Sequence, residues 1–338
     1  MTSGRSVPAN SALIRCPIYV APNHFADYLS HQQHYCLFLD IDGTLADFTL
    51  NPKDSFIPAT TLTLLQNIQD YGVKMAAVTG RSLAEAKQML APLSLPIAAT
   101  HGLEIDFEDN ESNNMSVSSV NSAELAAIKQ ALIRSCLRYD DFIIEDKPYS
   151  VALHYRQNPA LADIAYRIIT TIVKNHGDWI VKQGKYVWEI APKDADKGSA
   201  ILTLLKKFQA NNRLCPIFIG DDITDETGFM AVQGDKHMTE RSRFIQNNEP
   251  REDSKPPIKG MGMKVGYDGT EPTSAHYYVN NIFEVTVLLE SFLKFCQQRP
   301  TLSPKLPGLT EQEQVAPPLI DTDRYPLKNT TRDRKSVV

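Results

Sequence analysis

Short apolar runs alternate with helical repeats along this chain, and that alternation restricts the fold more than any other feature. Tyr35–Ile41 (YCLFLDI) fits a buried strand. Thr60–Tyr71 then carries Leu62, Leu65 and Ile68 at helical spacing, with Gly72 as a stop. Val73–Val78 is strand-like again. Ser82 opens a helix running toward Leu90, with Glu85 three residues on as its capping-box partner, and Pro96–Thr100 is another short strand. Strand–helix–strand–helix–strand predicts a parallel sheet with helices on its faces.

The rhythm changes after residue 102. A polar stretch, Asp106–Ser122, leads into a helix over about 123–139. Strand-like runs follow at Phe142–Lys147 and Ser150–Arg156, then a helix over about 159–176, then strands at Trp179–Gln183 and Tyr186–Ala191 around Gly184–Lys185. Helix, hairpin, helix, hairpin predicts an α+β unit built on an antiparallel sheet. The first rhythm returns after Pro192: a helix opens at Lys197, Pro216–Gly220 (PIFIG) is a buried strand, Asp225–Val232 is helical, Met263–Tyr267 is a strand and Asn281–Cys296 an amphipathic helix. The expected fold class is α/β, a Rossmann-like parallel-sheet core (31–102 and 192–297) with an inserted α+β cap (103–191). Residues 1–30 and 298–338 are expected to be flexible termini, and the polar loop Gln233–Gly260 has no assigned structure.

With 338 residues, 42% of them hydrophobic, the chain has ample material for two domains. A net charge of -5 without any Lys/Arg-rich run argues against nucleic acid or an anionic membrane as partner. Five scattered cysteines without a CxxC pair fit reduced thiols, so a cytoplasmic location is expected. The N-terminus lacks a signal-peptide pattern, and no apolar run reaches the length of a membrane span. No P-loop or dinucleotide fingerprint is present. A monomer acting on a small molecule is expected.

The densest chemistry is Asp40-Ile41-Asp42-Gly43-Thr44, directly after the first strand. Ligands bind at the carboxyl ends of parallel strands, so Asp40 leaves the sheet where a site should form. Gly43 permits the sharp turn that brings Asp42 to the same opening. A carboxylate there can attack a phosphoryl group, a second can protonate the leaving oxygen and later activate water, and Thr44 can donate to a phosphate oxygen. An Asp-Gly turn with a local hydrogen bond is the bland reading of such a motif. Three further segments weigh against it. Thr79-Gly80-Arg81 lies at a strand end, where Thr79 offers a hydroxyl and backbone N–H groups, although taken by itself Thr79 is better explained as an N-cap. Lys197 opens a helix and can neutralise both phosphate and Asp40. Asp221, Asp222, Asp225 and Glu226 crowd four carboxylates after PIFIG, a costly arrangement unless a cation is bound. Magnesium, which takes hard oxygen ligands, suits them.

That ordered set resembles the haloacid dehalogenase (HAD) superfamily of phosphotransferases, over about residues 36–295. The resemblance implies Asp40 as nucleophile and Asp42 as general acid/base, with Thr79 and Lys197 holding the phosphoryl group. It implies a magnesium ion on Asp40, the Asp42 backbone carbonyl and Asp221, with Asp222 and Asp225 in support. Within the superfamily the chain is similar to the trehalose-phosphate phosphatases. The matching pieces are Thr79-Gly80-Arg81, Thr100-His101-Gly102, Glu145-x-Lys147, His154-Tyr155-Arg156, Gly184-Lys185 with Trp188-Glu189, and GDDxTDE at 220–226. By that resemblance Glu145, Lys147, Arg156, Lys185 and Glu189 contact the sugar, with Gly80, Arg81, His101 and Gly102 at the substrate. The implied reaction is hydrolysis of trehalose 6-phosphate. A sucrose-phosphate or mannosyl-3-phosphoglycerate phosphatase, and a catalytically silent regulatory module, are the alternatives. Paired Glu and Lys groups suit a hydroxyl-rich disaccharide, although each alone also reads as a solvated surface charge. Glu145 and Lys147, two apart on a strand, point to one face.

Overall fold

A computed structural model of the chain describes residues 16–299, apart from 32, 50, 108–114, 117–119, 210–212 and 235–259. The unassigned 233–260 loop and the tail beyond 299 therefore lie almost wholly outside the described residues.

The core is a nine-stranded sheet. In chain order its strands are β1 (Ile18–Tyr19), β2 (His34–Leu39), β3 (Lys74–Val78), β4 (Ile97–Ala99), β5 (Glu104–Asp106), β6 (Met115–Ser116), β11 (Leu214–Gly220), β12 (Met261–Val265) and β13 (Tyr277–Val279). They lie in the order β1-β13-β12-β11-β2-β3-β4-β5-β6, with β5 and β6 antiparallel and every other pairing parallel. The chain winds outward from β2 through β3 and β4 on one side, then returns at β11 and winds outward on the other. The point of reversal lies between β2 and β11, where a ligand-binding crevice forms in such sheets. Ile219 of β11 aligns with Leu39 of β2, so both strands end at the same level.

Helices α1 (Ala59–Asp70), α2 (Leu83–Leu90), α5 (Lys197–Phe208), α6 (Glu226–Gln233) and α7 (Ile282–Gln297) complete the core. The expected capping box of α2 is formed, with the Ser82 side chain bonded to the Glu85 N–H and the Glu85 side chain to the Ser82 N–H. Two apolar clusters fill the sheet faces. One includes Leu37, Leu39, Leu65, Ile217 and Phe292, the other Phe38, Ile201, Phe218 and Phe229.

The segment read as a loose lead-in contributes to this core from residue 18 onward. Strand β1 pairs with β13, and Phe25 is fully buried in a 3-10 turn spanning Pro22–Tyr28.

The second unit has its own four-stranded antiparallel sheet, order β7-β8-β10-β9: β7 (Ile143–Asp146), β8 (Val151–His154), β9 (Trp179–Gly184) and β10 (Val187–Pro192). Helices α3 (Ser122–Cys136) and α4 (Ala162–Val173) cover one face, burying Leu125, Ile128, Leu132, Ile169, Leu153 and Ile190. Its other face looks toward the carboxyl ends of the core strands. Both units belong to one compact body. Among the described residues, no helix is long and apolar enough to cross a membrane.

Candidate active site

Asp40 follows β2, and its N–H donates to the Ile219 carbonyl of β11 (3.0 Å), which fixes it at the point of reversal. The chain turns at once through Gly43 (φ 82°). A Cβ there would sit 2.0 Å from the Asp221 carboxylate, so the DxDGT turn and the acidic turn after β11 are packed face to face. Asp221 thus lies beside Asp40, not across the sheet from it.

Lys197, the first residue of α5, reaches in with 3% exposure and donates to Asp40 Oδ1 (2.8 Å) and Asp225 Oδ1 (2.7 Å). Asp196 N-caps that helix by accepting from the Ser199 N–H. Asp225 is fully buried and also accepts from the Asp222 N–H (2.9 Å). Asp222 caps the 3-10 turn Ile223–Asp225, so its carboxylate serves the local backbone.

Asp40, Asp221 and Asp225 each offer a carboxylate oxygen within 4.8 Å of the others. Burial raises Asp221 well above the usual carboxylate range, and Asp40 and Asp225 add to the rise; its buried Oδ1 has no hydrogen-bond partner. Burial likewise pushes Asp40 up to about 8, against the pull of Lys197. Burial opposes the charge on Lys197, but Asp225 and Asp40 outweigh it and raise the lysine further. One lysine cannot offset three buried carboxylates. Crowded hard oxygens, one of them unpartnered, fit a divalent cation of the magnesium type.

The remaining core residues surround this point. Thr44 is fully buried and its Oγ1 has no partner, the state expected of a donor kept for a phosphate oxygen. Thr79 is buried at the end of β3, where its Oγ1 accepts from the Arg81 N–H (3.1 Å). Ser82, not Thr79, caps the following helix, so the N-cap reading of Thr79 does not hold. Arg81, read as a substrate group, spends its guanidinium on protein: Nε and Nη2 bond Asp42 Oδ2 and Oδ1 (2.7 and 2.6 Å), and Nη2 also bonds the Pro52 carbonyl (2.9 Å). Asp42 is therefore held by Arg81 and by Ser55 Oγ (3.3 Å), with its carboxylate outside the three-aspartate cluster. For the metal position implied by the resemblance, its backbone carbonyl is the group that remains.

Thr100 and His101 both take left-handed backbone angles (φ 46° and 55°), strain of a kind that clusters at functional sites. His101 packs against Gly80, where a Cβ would meet the imidazole at 2.7 Å, and Gly102 packs on Ala200. Burial pushes His101 down to about 4, so near neutral pH the ring is uncharged. Its Nε2 lies 3.1 Å from Glu189 Oε2, and a carboxylate only accepts, so the ring proton sits on Nε2. Nδ1, buried and unpartnered, is left as an acceptor.

The cap residues converge from above. Glu189 on β10 is the hub: Oε2 takes His101 and Lys147 Nζ (3.1 Å), and Oε1 takes Ser150 Oγ (2.5 Å). Burial pushes Glu189 up, but Lys147 and His101 outweigh it and hold the carboxyl well below its usual range. Lys147, just past β7, also donates to the Gly80 carbonyl of the core (2.9 Å) and lies 4.0 Å from Glu145. Glu145 accepts from His154 Nε2 (2.7 Å). Arg156 Nη1 donates to the Thr49 carbonyl of the core (2.6 Å). Lys185 is exposed in the β9–β10 turn and lines the cleft. The cleft encloses about 120 Å³.

Sequence reading missed several lining residues, among them Phe48 and Lys182. Lys182 lies opposite Glu189 in the β9–β10 register and donates to the Ala195 carbonyl. Burial pushes its ammonium down to about 8 despite Glu189 beside it. Hairpin pairing counted back from Gly184 would have found it. Nothing in the sequence marked Phe48.

Comparison with known proteins places this arrangement in context. A family model described as trehalose-phosphatase matches residues 38–259. A probable trehalose-phosphate phosphatase from Sinorhizobium fredii is 33% identical over 201 residues, 59% of this chain and 74% of that protein. The trehalose-6-phosphate phosphatase of Escherichia coli K12 is 30% identical over 266 residues, 78% of this chain and 89% of that protein. Among solved structures, the C-terminal domain of trehalose-6-phosphate phosphatase from C. albicans aligns with a TM-score of 0.66 at 19% identity, over 83% of this chain and 99% of that one. At that identity the likeness concerns the fold.

Proposed function

The chain belongs to the trehalose-phosphatase family, and from that premise we propose that it hydrolyses trehalose 6-phosphate to trehalose and inorganic phosphate through an aspartyl phosphate on Asp40. The observation that carries the reading is the meeting of Asp40, Lys197, Asp221 and Asp225 at one point between β2 and β11.

An Asp40 oxygen attacks phosphorus as the bond from phosphorus to the sugar oxygen breaks, and Asp42 gives that oxygen its proton. Water then attacks the same phosphorus and its proton passes to Asp42. The bond to Asp40 breaks, phosphate departs and the carboxylate is restored. Both Asp42 oxygens are engaged by Arg81, so proton delivery requires one of those bonds to be exchanged. Lys197, Thr44 and Thr79 surround the phosphoryl oxygens. Asp40, the Asp42 carbonyl and Asp221 would hold a magnesium ion, with Asp222 and Asp225 behind them; when bound it supplies positive charge for the phosphoryl oxygens. The cap set Glu145, Lys147, Arg156, Lys185 and Glu189 selects the disaccharide. The family model and both relatives bear trehalose phosphate in their names, which disfavours the sucrose-phosphate and mannosyl-3-phosphoglycerate readings. An intact set of catalytic acids disfavours a silent module.

Phosphate release from a panel of sugar phosphates tests this directly. Trehalose 6-phosphate is expected to be turned over fastest, and EDTA to lower the rate by more than about tenfold, with recovery on adding magnesium. Equal rates across the panel would reject the substrate, and indifference to EDTA would reject the metal.

Glu189→Ala is expected to lower kcat/KM for trehalose 6-phosphate about a hundredfold, because it frees Lys147 and His101 together. Turnover of p-nitrophenyl phosphate, which lacks the sugar, should fall far less. Parallel kinetics on the two substrates make the comparison.

A further inference from the structure

Phe48 lies outside every motif named above, two residues past Ala46, and belongs to none of the buried apolar clusters. Half-buried, its ring lines the cleft. Its neighbours are cap cations. The Arg156 guanidinium carbon lies 4.3 Å from the ring centroid and Lys185 Nζ 5.2 Å from it, with the Tyr186 ring at 6.2 Å. The negative face of an aromatic ring attracts such cations and fixes where they rest.

The rest of Arg156 is equally constrained. Nη1 is held by the carbonyl of Thr49, the residue after Phe48 (2.6 Å), and Nη2 lies 3.0 Å from His154 Nδ1. The buried Nε has no partner, and a guanidinium with five N–H groups, two of them engaged in these contacts, keeps donors for a ligand. Lys185 has no hydrogen bond or ion pair among the described residues, and the ring is what locates its ammonium.

We propose that Phe48 is a core-supplied specificity residue of the cleft: its ring positions Arg156 and Lys185 so that the hydroxyls of the sugar meet two cations already in place. Phe48 is a positioning residue, acting on substrate through the two cations. The proposal rests on the reading of Arg156 and Lys185 as sugar-contacting groups. A lysine free to roam through its rotamers would lose that freedom on every binding event; the ring removes most of it beforehand.

Steady-state kinetics on trehalose 6-phosphate and p-nitrophenyl phosphate test it with Phe48→Leu and Phe48→Tyr. Two cation–ring contacts at about two- to fivefold each predict a rise in KM for the sugar phosphate of about 4- to 25-fold in Phe48→Leu, with kcat within about twofold. Phe48→Tyr, which keeps the ring, should restore most of the affinity. KM for p-nitrophenyl phosphate should move less than about twofold, because that molecule offers the cations no hydroxyls. In a Lys185→Ala background the cost of Phe48→Leu should shrink, since one of its two contacts is already gone. An equal KM rise on both substrates, a Phe48→Tyr variant no better than Phe48→Leu, or a Phe48→Leu variant that no longer folds would each overturn the proposal. A wild-type protein that releases no phosphate from trehalose 6-phosphate would sink the substrate reading, and this inference with it.

Discussion

Asp40→Asn is expected to give a folded protein whose turnover of trehalose 6-phosphate is lower by about four orders of magnitude or more, the scale seen when a nucleophile is removed from an enzyme. The amide has the size of the carboxylate but cannot attack phosphorus. It keeps an oxygen that can accept from Lys197, whose second partner, Asp225, is untouched. It also removes one of three carboxylates crowded within 4.8 Å of one another. The fold should therefore survive, and melting in EDTA should occur at or above the wild-type temperature. Two measurements settle it: phosphate release, and a thermal melt of both proteins. Undiminished turnover would remove Asp40 as the nucleophile. A collapsed melt would show that the carboxylate is needed for the fold as well as the reaction.

Lys197→Ala should damage activity and stability together. The ammonium is 3% exposed and lies between Asp40 and Asp225, with Asp221 close by. Removing one partner of a buried pair costs about 3–5 kcal/mol, because the carboxylates left behind are neither paired nor hydrated. That translates to a melting temperature lower by roughly 10 °C. Loss of a cation aimed at the phosphoryl group costs a further two to three orders of magnitude in kcat, roughly the effect of deleting one preorganised charge donor. Magnesium, by binding the folded state, should recover more of the lost stability in the variant than it adds to wild type. A variant with wild-type melting and turnover would mean that Lys197 faces solvent and contributes nothing.

Much of the site could be read from sequence because its residues sit at element boundaries, which local patterns mark well. Asp40 and Asp221 follow apolar runs that could only be central strands, and Lys197 opens a helix whose cap is the residue before it. Ser82 and Glu85 formed their capping box because both partners lie within one turn. The short strands β1, β5, β6 and β13 escaped notice for the opposite reason. Each has only two or three residues and takes its conformation from a neighbour: Ile18 pairs with Tyr277, far along the chain. Tertiary distance also hid what individual charges do. Arg81 belongs to a recognisable motif, but its hold on Asp42 joins the segments that follow two different strands, β3 and β2. Glu189 was recognisable as a cap residue, but its bonds to Lys147 and Ser150 need the folded cap sheet, and its bond to His101 exists only once cap and core have met.

The bonds from Lys147 to the Gly80 carbonyl, from Arg156 to that of Thr49 and from His101 to Glu189 tie cap to core over a cleft of about 120 Å³. Sites for molecules of comparable size run to about 300 Å³ or more. If a disaccharide phosphate needs more room than this, those three fastenings must lengthen for it to enter and again for free trehalose to leave. Each catalytic cycle would then contain two mechanical events that no reacting atom controls. At saturating substrate the pace of the enzyme would then be set by how fast the lid lets go, and a more viscous solvent should slow it while leaving the chemistry untouched.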